Sequence, residues 1–202
     1  MKSFPNSNSQ ASQESFVLNV LQEKYRGYYV EVGGHHATYL SNTYVLESKY
    51  EWLGVSLEID SKRCLEYNEQ RKNICLNKDG TTFNYLDYFI SNNFPKQIDY
   101  LQLDIEPAIN TLSGLKAMPL NEYRFSIITF ETDLYLGGEN SAYQKESQDI
   151  LNSFGYELVV ENVMHDENKF EDWWVDKSFI PVENYIQFKS KNIDHRKIFW
   201  IS

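Results

Sequence analysis

The chain has 202 residues, 42% of them hydrophobic and 15% aromatic, which suits one folded domain with a substantial core and not a disordered segment. Its 29 acidic against 19 basic residues leave a net charge of −10, which opposes binding to a phosphate backbone and argues against nucleic acid as a substrate. No stretch approaches the roughly 18 consecutive apolar residues of a membrane span, and the polar start lacks a signal-like apolar region, so the expectation is a cytoplasmic protein without membrane contact.

Residues 1–11 are polar and turn-rich and are expected to form a flexible arm, with a single domain over 12–202 that ends in an aromatic segment, 165–202. Phe16, Val17, Val20 and Leu21 recur at helical spacing, which predicts a helix over 12–23 with Ser12 as its N-cap. The first strand is 28–32, followed by a helix over 41–49 and a second strand over 53–58. A charged, exposed helix is expected over 61–72, then a short strand at 74–76 that runs into the turn signal Asn77-Lys78-Asp79-Gly80. A helix over 82–93 precedes the clearest strand, 98–104; a helix over 109–117 precedes the apolar strand 125–130. The helix over 142–154 stops at Gly155, a C′ glycine, and 156–163 is a further strand. Strands alternating with helices predict an α/β fold with a largely parallel sheet.

The first strand runs into Glu31-Val32-Gly33-Gly34-His35-His36-Ala37, and the second ends on Glu58. An acid and a glycine turn after the first strand, with a second acid after the next, is the layout of an adenosine-cofactor site in a doubly wound sheet. Glu58 is placed to accept hydrogen bonds from ribose hydroxyls. A third glycine is missing, and Glu31 would repel a pyrophosphate, which counts against a dinucleotide and favours a cationic ligand such as S-adenosylmethionine. The competing reading is an ordinary strand-to-helix turn.

Four strands end in acid, at Glu31, Glu58, Asp104 (with Glu106) and Glu131 (with Asp133), where open α/β sheets bind ligands; helix capping is the alternative role for each. Asp104, Glu131 and Asp133 are the subset with hard oxygen donors for a cation such as Mg²⁺. His36 in the glycine loop and His165 after the 156–163 strand are candidate general bases, as is Asp104. Phe170 to Asp176, with paired tryptophans, suits a lid, a substrate wall, a core segment or an oligomer contact, and the apolar tail at 195–201 suits packing or a homodimer contact. Cys64 and Cys75, with ten residues between them, lack the close spacing of metal or redox pairs and are expected as free thiols.

These residues together resemble the FkbM type of S-adenosylmethionine-dependent methyltransferase. The resemblance runs through Tyr29-Val30-Glu31-Val32-Gly33, Ser41-Asn42-Thr43-Tyr44, Trp52-Leu53-Gly54-Val55, Glu58, Asp99 to Glu106, Ile128 to Glu131, and Leu151 to Tyr156, in order over most of 12–165. It implies a Rossmann-like, doubly wound, mostly parallel seven-stranded sheet of the class I methyltransferase type. It also implies a cofactor held by Glu31, Gly33, Gly34, Ser41, Asn42, Thr43, Glu58, Asp79 and Asp104, and O-methylation of a small molecule or sugar. Two departures stand out: Pro107 where the pattern has glycine after Asp104-Ile105-Glu106, and His35-His36-Ala37 where it has a polar-Asp-Gly end. The rival expectations are a non-catalytic scaffold on the same fold and a nicotinamide-dependent oxidoreductase.

Overall fold

In the computed structural model, which describes residues 8–199, the apolar runs pair into one sheet. β1 (Tyr28–Val32), β2 (Leu53–Glu58), β3 (Ile74–Asn77), β4 (Gln97–Leu103) and β5 (Arg124–Glu131) are parallel to one another. With β6 (Tyr156–His165), β7 (Asn168–Asp176) and β8 (Ser190–Asp194) they form eight strands in the order β3-β2-β1-β4-β5-β7-β6-β8. β7 lies antiparallel between β5 and β6, and β8 pairs parallel to β6 at the edge.

Both faces of the sheet are covered, which is why its central strands are apolar throughout. On one face α1 (Gln13–Val20) and α2 (Tyr44–Tyr50) pack against Tyr29, Tyr100, Ile127 and Trp173. On the other, α4 (Tyr85–Ser91), α5 (Ala108–Ala117) and α6 (Asn140–Ser153) pack against Val30, Leu101, Ile128 and Trp174. Successive residues of each strand thus enter different cores. α3 (Ser61–Gln70) covers the β2–β3 edge through Cys64 and Tyr67; both cysteines are buried free thiols. A short α7 (His195–Ile198) follows β8.

The doubly wound, mostly parallel architecture is as expected, but with eight strands instead of seven. The extra one is β8, whose sequence Ser-Lys-Asn-Ile-Asp has no apolar alternation because it is an edge strand. The tryptophan pair is no lid: Trp173 and Trp174 lie fully buried in β7, and Trp173 stacks on Phe16 at 4.6 Å. Truncating such a ring costs about 3–5 kcal/mol. Ser12 precedes α1 as expected, yet its backbone is left-handed (φ 65°) and its side chain caps nothing, bonding instead to His195. The fourth helix begins at Tyr85, capped by Asn84 and not at 82. Of the expected arm, 1–7 lie outside the described residues, while Ser9 bridges Leu40 and Ala11 is fully buried. Of the apolar tail, Ile198 and Phe199 are buried, and Trp200 and Ile201 lie outside the described residues. Among the described residues no helix is long and apolar enough to cross a membrane.

Candidate ligand site at the carboxyl edge of the sheet

Strand order reverses between β1 and β4, and a cavity of about 530 Å³ opens there at the carboxyl ends of the strands. It is lined by segments following β1, β2, β3, β4 and β5, so it runs along four strand spacings of ~4.8 Å, about 19 Å of sheet edge. Its volume falls within the usual range for small-ligand sites.

The turn after β1 needs its glycine. Gly33 has φ 91°, and a Cβ there would overlap the backbone oxygen of Asp104, so only glycine lets the β1 and β4 ends meet so closely. The Gly33 and Gly34 amides both donate to the Leu57 carbonyl at 3.0 Å, tying this loop to β2. Gly80 is similarly tight, since a Cβ would strike Val32.

Glu31 is 2% exposed and accepts from Ser56 Oγ (2.5 Å), Thr43 Oγ1 (3.0 Å) and Tyr67 Oη (3.1 Å). Burial raises its pKa, against the pull of the Arg71 charge and these hydroxyl donors. Arg71 was expected on an exposed helix, yet it is the buried cation of the site. It follows α3, its side chain is fully buried, and it donates to Glu47 (2.9 Å), the Ala37 carbonyl (2.7 Å), Ser41 (3.2 Å), Tyr29 (3.1 Å) and Thr43 (3.1 Å). All five contacts converge from the segment after β1, from α2 and from β1 itself. The planar guanidinium fork suits this task, and the ring of Tyr67 lies 4.6 Å from it.

At the β2 end, Glu58 accepts from the amides of His35 (2.9 Å) and Asp60 (2.8 Å) while lining the cavity. Its pKa is raised, chiefly by burial. Asp79 lines the β3 end and accepts from Thr81. Ser41 and Asn42 line the wall after β1; Thr43 stands behind it on Glu31. Asn42 Oδ1 is buried without a donor, an acceptor that a ligand hydroxyl or amine would satisfy.

At the β4 and β5 ends, Asp104 and Glu131 form a hydrogen-bonded carboxyl pair, and burial raises both, Glu131 well above the usual range. Asp133 is 1% exposed in a left-handed conformation (φ 50°) behind this pair and does not line the cavity. Among the described residues no group of three His, Cys, Asp or Glu is placed to hold a metal ion, so the expected Mg²⁺ set of Asp104, Glu131 and Asp133 finds no support. Asp104 and Glu131 share a hydrogen bond instead of facing a common centre.

His36 lines the cavity at its exposed rim, but His165 does not: it ends β6 and contacts His195 at 3.3 Å. The cavity therefore gathers Glu31, Gly33, Gly34, His36, Ser41, Asn42, Glu58, Asp79, Asp104 and Glu131, and leaves Thr43, His165 and Asp133 outside. Phe170, which opens the segment expected as a lid or substrate wall, lines the cavity, whereas Arg71 and Tyr135 were not among the expected site residues.

The solved structures that match this fold include methyltransferases. The S. pombe Dnmt2 methyltransferase matches with a TM-score of 0.54 at 14% identity, over 74% of this chain and 49% of that one. The human methyltransferase 10 domain containing protein matches at 0.51 and 10% identity, over 87% and 83%. A Klebsiella pneumoniae protein with the provisional name of O-methyltransferase matches at 0.54 and 13% identity, over 85% and 83%. The chain spans about half the length of the Dnmt2 structure. Identities this low show the class I methyltransferase fold alone. No family profile matches the sequence, and no curated protein matches it.

Proposed function

We propose that the chain is an S-adenosylmethionine-dependent methyltransferase acting on a hydroxyl of a small molecule or sugar. The observation that carries this reading is the sign of the cavity wall. Six carboxylates line it (Glu31, Glu58, Asp79, Asp104, Glu106, Glu131) against two cations, Arg63 and Lys78. Such a wall repels a pyrophosphate and favours a ligand with cationic groups. The donor-free Asn42 Oδ1 and the glycine-only approach at Gly33 fit an adenosine-type ligand lying along the switch point.

Glu58 would accept the two ribose hydroxyls, and Asn42 and Asp79 would bond the polar edges of the cofactor. Glu31, held rigid by three hydroxyl donors, would supply negative potential to its cationic end. When bound, the cofactor supplies a methyl group on a sulfonium, already a strong electrophile. This chain's residues then need to align the acceptor oxygen and take its proton. Asp104 is the carboxylate we assign to that proton, with His36 at the rim as the second candidate. The raised pKa of Asp104, caused by burial, brings it closer to the range of an effective base.

Calorimetric titration of the purified chain with S-adenosylmethionine, with NAD as control, tests the reading. The expected dissociation constant is on the order of 1 μM, and Glu58→Ala should weaken it about 10- to 100-fold by removing a charged hydrogen-bond acceptor. Binding of NAD in preference would make the protein an oxidoreductase. Binding without turnover on any acceptor would leave a scaffold, and silence toward both ligands would overturn the proposal.

A further inference from the structure

The two ends of the cavity differ in charge. Its two cations, Arg63 and Lys78, come from the segments after β2 and β3; the β4–β5 end contributes Asp104, Glu106 and Glu131 with no Lys or Arg. Behind that end stand Asp133, 1% exposed, and Glu171, the register partner of Glu131. Among the described residues none of these five acids forms an ion pair. Most telling is Glu131: it is 4% exposed, it lines the cavity, and apart from neighbouring carboxyl groups its Oε2 meets no N–H or hydroxyl donor. A buried carboxylate oxygen left without a donor is costly, so its natural complement is a ligand that brings one.

We infer that the β4–β5 end binds a protonated amine, so that the methyl acceptor is a hydroxyl compound that also carries an ammonium group, recognised by Glu131 together with Glu106. This rests on the cofactor reading above, which gives the β1–β2 end to S-adenosylmethionine and leaves the β4–β5 end to the acceptor. A neutral hydroxyl would satisfy one lone pair and leave the like charges facing one another. An ammonium brings three donors and the opposite charge. A metal ion is disfavoured because no three acids are arranged around a common centre, while Tyr135 and Phe170 put aromatic rings at the same end, which suits an organic cation.

The test uses the full chain and a panel of amino alcohols and amino sugars, each paired with its N-acetyl derivative. Methyl transfer is read as release of S-adenosylhomocysteine, and binding is read by calorimetry on protein saturated with S-adenosylhomocysteine. The amine of a pair should be preferred by about tenfold or more, as one charge-assisted contact provides. Glu131→Gln should erase that preference, keep the cofactor affinity, and raise the melting temperature by relieving repulsion among the acids. Glu106→Gln, at an exposed position that cannot upset folding, should reduce the preference partially. A panel in which no amine is preferred, silence included, overturns the inference, as does Mg²⁺ binding that Glu131→Gln removes. Cofactor affinity is measured first, so a failure there is a failure of the methyltransferase reading and is seen separately.

Discussion

At the scale of single residues, Arg71 decides whether the loop after β1 has a shape. It is the shared donor for Ala37, Ser41 and Thr43 and the ion-pair partner of Glu47, all in a buried setting. Arg71→Met should therefore leave Glu47 unpaired and Glu31 without its nearest positive charge, destabilising the fold by about 3–5 kcal/mol. Chemical denaturation measures this; a loss below about 1 kcal/mol would mean the network is dispensable. Arg71→Lys should recover only part of the loss, since an ammonium cannot span five acceptors in one plane. The sequence reading reached Glu31, Gly33 and Glu58 because strand ends announce them. It could not reach Arg71, which sits beyond a polar helix and finds its acceptors 24 to 42 residues away, a distance that no local pattern encodes. Tyr135 was out of reach for the same reason, whereas Phe170 fell in the aromatic segment whose composition suggests a substrate wall.

Among the elements, the strands buried on both faces were read most easily and the polar edges least. β4 and β5 stand out as apolar runs, whereas β7 mixes Glu171 and Asp172 with two tryptophans and gives no clean alternation. The structure explains the acid. Asp172 accepts from the Asn162 amide (2.8 Å) and from the side chains of Gln144 and Gln148 (3.0 and 2.9 Å), which stand one turn apart on α6. It fastens α6 to the irregular stretch of β6, where the pairing with β7 shifts register. Asp172→Ala should orphan these donors and destabilise the protein by about 2–3 kcal/mol, read by urea unfolding. Loss of the same size in Gln148→Ala alone would show that the helix contact, and not the strand amide, carries the effect.

For the whole molecule, the governing property is an excess of buried acid. Burial raises Glu171 to about 8 and Asp172 to about 6, and Glu131 rises well above the usual carboxylate range. Groups raised in the folded state stabilise it at pH values below their unfolded pKa, and that stability is lost as pH climbs through the folded value. Stability should therefore increase as pH falls from 8 to about 6.5. Below that, His195 offsets part of the gain, since burial lowers it to about 4 and the unfolded chain takes up its proton first, while Glu171 and Glu131 still favour the fold down to about 4.5. The expected profile of melting temperature against pH is a maximum near pH 5, where the unfolded carboxylates begin to bind protons as well. Glu171→Gln should flatten its alkaline limb, and a melting temperature that is highest at pH 8 would contradict this account.

The hydrogen bond between Ser12 Oγ and His195 Nδ1, 2.8 Å long, has a consequence for connectivity. It joins residues 183 positions apart, so the two ends of the described chain meet beside α1. A linker between the ends of the described residues, 8 and 199, would close that part of the chain into a ring, and new ends could be cut at Asn92–Asn93, between α4 and β4. That cut falls at the amino end of the strand, opposite the cavity. Such a circular permutant should fold, with cofactor affinity within about threefold of the parent, because permutation at an exposed loop leaves the packed layers unchanged.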